Sequence, residues 1–89
     1  MRAVITVVGK DTIGIIAKVA SRCAEYGANV EEVTQSVLRD VFAMVMLADI
    51  TALSVPFDTF ARAMEELGRE SNLVIRAVHE AIFGAMHRI

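Results

Sequence analysis

The chain has 89 residues, enough for a single domain, and a formal net charge of −2. That balance leaves no electrostatic footprint for nucleic acid or an anionic membrane surface, and a lone cysteine rules out both an intrachain disulfide and a multi-cysteine metal site. Apolar residues make up 55% of the chain, yet no run approaches the ~18 residues of a membrane helix, so a partner is expected to cover the excess.

Ala3 to Val8 is β-branched and apolar on both faces, the pattern of a central strand covered on both sides. Met1 enters this run directly, without the basic segment and cleavage site of a signal peptide, which implies a cytoplasmic protein. Gly9 to Thr12 interrupts the strand. From Gly14 to Tyr26 the spacing turns helical, with Ile16, Val19, Ala20 and Cys23 on one stripe. Gly27 ends that helix as a left-handed cap.

Asn29 to Leu38 reads as a second strand with Val33, Gln35 and Val37 on one face, and the Val30-Glu31-Glu32-Val33 spacing breaks the period of two and suggests a bulge near its start. Arg39-Asp40 turns the chain into a third strand, Val41 to Ile50, again apolar on both faces. Pro56 suits the first turn of a second helix, where a missing N–H costs nothing. Phe57, Phe60, Ala61, Met64 and Leu67 form its apolar stripe. Asp58–Arg62, Arg62–Glu66 and Glu65–Arg69 stand at i,i+4 on the outer side, and Gly68 reads as its cap. Leu73 to His79 is the fourth strand.

Two βαβ units with right-handed crossovers give an α+β, ferredoxin-like βαββαβ fold. The implied sheet is antiparallel in order 4-1-3-2, with both helices on one face. Strands one and three are then central, as their two apolar faces require. Residues 1–80 form the domain, and 81–89 form a short helical tail bearing Ile82, Phe83, Met86 and Ile89. Such a short helix must dock, either on its own sheet or across a homodimer.

The first loop is the informative stretch. Strand, tight loop and helix start gather backbone N–H groups around one point, a seat for a carboxylate. It is not a P-loop, because Ile15 and Ile16 stand where Lys and Ser/Thr are needed. The alternative is that Asp11 or Thr12 caps the helix and Gly14 permits close packing. Other chemistry falls away. His79 and His87 have no carboxylates or thiols at ligand spacing, so no metal site is expected. Cys23 lies on an apolar stripe, which implies packing rather than nucleophilic work. No catalytic residue and no cofactor site are expected.

Asp11-x-x-Gly14-Ile15-Ile16-Ala17, followed by Gly27-x-Asn29-Val30 and Gln35, resembles the ACT domain over almost the whole chain. The nearest likeness is to small stand-alone proteins made of one such domain, of unknown function. Segments of glycine-cleavage regulators and formyltetrahydrofolate deformylases are similar too. The resemblance implies a regulatory module that senses an amino acid or related metabolite, commonly at a subunit interface. Carried over, Asp11, Thr12, Ile13 and Gly14 would offer backbone donors to a ligand carboxylate, and Asn29 its side-chain amide. Asn29 could equally tie down its own loop, and Gln35 reads as an ordinary strand residue. A homodimer, or a larger homo-oligomer, acting on a separate regulated protein is the expected assembly. A ligand-free interaction module on the same fold is the alternative.

Overall fold

The computed structural model describes residues 1–10 and 14–86. Its elements run β1 (Arg2–Gly9), α1 (Ile15–Glu25), β2 (Asn29–Leu38), β3 (Val41–Asp49), α2 (Phe57–Glu70), β4 (Val74–His79) and α3 (Glu80–Met86). The strands form one antiparallel sheet, β2-β3-β1-β4, which reads 4-1-3-2 from the other edge. The central pair is β1 and β3, the two strands whose residues are apolar on both sides. Three helices accompany the sheet, the expected two and the short helix of the tail, α3, which starts at Glu80.

Strand register decides which side chains reach the core. Ala3, Ile5 and Val7 of β1 stand beside Ala48, Met46 and Met44 of β3, and all six are buried. Ile75 and Ala77 of β4 extend the same face. Ile15, Val19 and Cys23 from α1 and Phe60, Met64 and Leu67 from α2 close over it. Tyr26 meets Phe60 edge-on at 6.0 Å between ring centres. The side chain of each fully buried aliphatic residue is worth ~1.5–3 kcal/mol.

Three local expectations are corrected. The buried stripe of α1 starts at Ile15, while Ile16 is 40% exposed and Ala20 only half-buried. Positions 15, 19 and 23 share one side of a helix, and 16 is turned 100° away from it. Gly68 is not a left-handed cap. It lies inside the last turns of α2, and Asn72, with φ of 60°, takes the left-handed position instead. Gly68 is small for a packing reason, since a Cβ there would stand 2.8 Å from the carbonyl oxygen of Leu73. The i,i+4 pairs of α2 are not made. Arg69 reaches back one turn to Glu66 at 2.6 Å.

Other expectations hold. Gly27 has φ of 82° after the C-cap of α1. Pro56 stands at the start of α2 as expected, one place before its first turn, as the N-cap. The β2–β3 register shifts between Val30 and Glu32, where the bulge was expected. Burial pushes the Cys23 thiol up to about 11, an inert packing group.

The helical part of the tail packs on its own sheet, on the face away from α1 and α2. Phe83 shares a cleft of about 260 Å³ with Val4, Val45 and Leu47. Val4 is only 4% exposed there. Arg2 fixes the start of α3 through a 3.1 Å bond from its Nε to Glu80. Ile89 and the side chain of Met86 lie outside what is described.

Candidate functional site

Asp11, Thr12 and Ile13 lie outside the described residues, so the loop is located by its two ends. Gly9 pairs with Phe42 at one end of β3. Gly14 is the N-cap of α1, with φ of 72° and no side-chain cap bond among the described residues. Its carbonyl accepts the first helical bond, from the Lys18 N–H at 3.0 Å. The N–H groups before Lys18 have no intrahelical acceptor, which is what an anion seat needs.

The close packing expected of Gly14 has no partner among the described residues, where a Cβ added there would meet nothing within 4 Å. The glycine answers to the left-handed backbone, which a residue with a Cβ adopts at ~1–2 kcal/mol.

Asn29 begins β2 and is exposed. It pairs with Asp49, seven residues along β3 from Phe42. At ~3.3 Å per residue that separates Asn29 from the loop end by roughly 23 Å within one chain. Within one protomer Asn29 therefore stands far from Gly9, where the loop begins. Beside Asn29, the Thr51 N–H donates to Asp49 Oδ1 at 2.8 Å. The Thr51 hydrogen bonds hold the Asp49 carboxyl below its ordinary value.

Strand β2 forms one edge of the sheet, and every residue from Glu31 to Leu38 is exposed. Ile16 on α1 and Val33 and Val37 on β2 present apolar surface along this edge. Sequence reasoning did not single out these three as surface residues, because each sits on an apolar stripe that looked buried. Among the described residues, no group of three or more His, Cys, Asp or Glu is placed to hold a metal ion. No helix among them is long and apolar enough to cross a membrane.

Comparison with known proteins agrees with this architecture. The family model of the ACT domain matches residues 2–77. A UPF0237 protein of Methanopyrus kandleri is 42% identical over 88 residues, 99% of this chain and 98% of that one. The structure of an ACT domain protein from Streptococcus pneumoniae superposes with a TM-score of 0.81 at 36% identity, covering 93% of each chain. A formyltetrahydrofolate deformylase from Pseudomonas syringae shares the fold at 22% identity, with a TM-score of 0.75 over 88% of this chain and 27% of that one. With its βαββαβ order and loop-to-helix glycine, the chain belongs to the ACT domain family.

Proposed function

We propose that the chain is a non-catalytic regulatory module that binds an amino acid or related small metabolite between two of its own copies. The separation of the loop from Asn29 carries this reading. Neither half makes a site alone, and the exposed β2 edge offers a way to join them. Antiparallel pairing of two β2 strands about the point between Val33 and Thr34 would set Asn29 of one copy beside Leu38 of the other. Leu38 pairs with Val41, next to the Phe42–Gly9 pair that leads into the loop. The ligand carboxylate would then sit at the N–H groups of α1 from one copy, with the Asn29 amide supplied by the other. Ile16, Val33 and Val37 would be covered by the same contact.

The test is a thermal-shift screen against amino acids, followed by calorimetry on any that raise the melting point. Saturation at 100 times Kd adds ~2.7 kcal/mol of stability. Replacing Asn29 by Ala should weaken binding by about 1–3 kcal/mol. A screen in which no amino acid shifts the wild-type protein favours the second reading, a ligand-free interaction module, for which the open β2 edge serves equally well.

A further inference from the structure

The sheet face opposite α1 and α2 is stepped. At one end α3 rises above it by the thickness of a helix, ~10 Å. At the other end the sheet is bare. Register places Val8, Val41 and Val74 on this bare part, 43%, 40% and 60% exposed, and Val45, 41% exposed, at its border with the Phe83 cleft. Val8, Val41 and Val74 line a shallow cavity of about 550 Å³ with Lys10 and Asn72 at its end. Among the described residues charge stands at the margins, where Lys10 pairs with Asp40 at 3.8 Å and Arg76 and Glu32 lie on the two edge strands, β4 and β2.

The raised part is apolar as well. After Glu80, α3 carries no side chain that is charged or forms hydrogen bonds. Ala81, Ile82 and Gly84 are exposed, so the described outer surface after Glu80 presents no polar side chain to water. An apolar helix surface of this kind is normally covered by a partner. Among the described residues, the middle of this side thus holds two uncharged surfaces, a ridge and a recess.

We infer that this stepped face is a self-association surface, in which α3 of each copy seats on the bare valines of the other. A two-fold axis across the strands brings ridge over recess twice. The two α3 helices then share one layer between the sheets. Strands of about eight residues and four strands across give a face of roughly 26 by 19 Å, or ~500 Å² per copy. The pair hides ~1,000 Å², about the lower bound for a specific interface. This surface is separate from the β2 edge and does not depend on the ligand reading.

The experiment measures mass by sedimentation at micromolar concentration for wild type, Ile82→Glu and Val74→Lys, then for an equimolar mixture of the two variants. Both side chains are exposed in the protomer, so circular dichroism should show both variants folded. Each alone should have half the wild-type mass, because a lone charge enters an apolar contact. The mixture should regain the wild-type mass, because one contact of each mixed pair joins Glu to Lys and the other is native. Either variant keeping the wild-type mass overturns the inference. A mixture that stays dissociated overturns it too, since the ridge would then meet something other than the recess. Should a variant fail to fold, Ile82→Ser and Val74→Thr replace it, and unchanged mass in both is equally fatal.

Discussion

Gly9 and Asn29 stand at opposite ends of β3, paired with Phe42 and Asp49 respectively. Gly9 opens the loop that reaches α1, and Asn29 opens β2. A ligand that touches both must therefore draw them from different chains. The expected outcome is complementation. Gly14→Val disables the loop and Asn29→Ala disables the amide, so neither variant binds well alone. In their mixture, half of the dimers are mixed and one of the two sites in each is intact, about a quarter of wild-type capacity in a two-fold dimer. Calorimetric stoichiometry checks this, and no recovery on mixing would place the site within one chain.

The two left-handed glycines should differ in cost. No described residue lies within 4 Å of a Cβ at Gly14, so Gly14→Ala should lower stability by about 1 kcal/mol, from backbone strain. At Gly27 a Cβ would stand 2.5 Å from the carbonyl oxygen of Ala52, in a loop held by the Ser54 N–H to Tyr26 carbonyl bond at 2.8 Å. Gly27→Ala should therefore cost about 2 kcal/mol or more. Urea denaturation of the two variants side by side measures the difference.

Phe83 anchors α3 over Val4 and Leu47. Its truncation to Ala should remove about 1–2 kcal/mol, since the ring is half-buried rather than fully enclosed. Increased binding of a hydrophobic dye should accompany the loss, as Val4 comes into contact with water. An unchanged melting point would show that Glu80 and its bond to Arg2 suffice to hold the helix.

Asp49 should contribute to stability in a pH-dependent way. Its folded-state carboxyl lies below the ordinary 3.8, mainly because Thr51 hydrogen bonds favour the ionised form. A lowered folded value means the contribution is fully present above about pH 4 and is lost as pH falls through the folded value. Asp49→Asn should flatten the acid limb of the stability curve below pH 4 and leave its slope at neutral pH unchanged. Chemical denaturation at a series of pH values reads this directly.

By itself the sequence determined the order of elements and the sheet. Ala3 to Val8 and Val41 to Ile50 are apolar on both faces, and only the centre of a sheet covered on both sides tolerates that. Local chemistry also sufficed for the turns of Gly27 and Pro56 and for the bulge in β2, because each depends on neighbours within a few residues. Tertiary structure decided the rest. Whether Gly68 caps or packs depends on the return of Leu73, and whether Ile16 is covered depends on where α1 crosses the sheet. The separation of the loop from Asn29 follows from strand register, a relationship among residues far apart in the chain. Periodicity marks a residue's face, but only register fixes its height along the sheet. The candidate site could therefore be named from the sequence, while its division between the two ends of the fold could not.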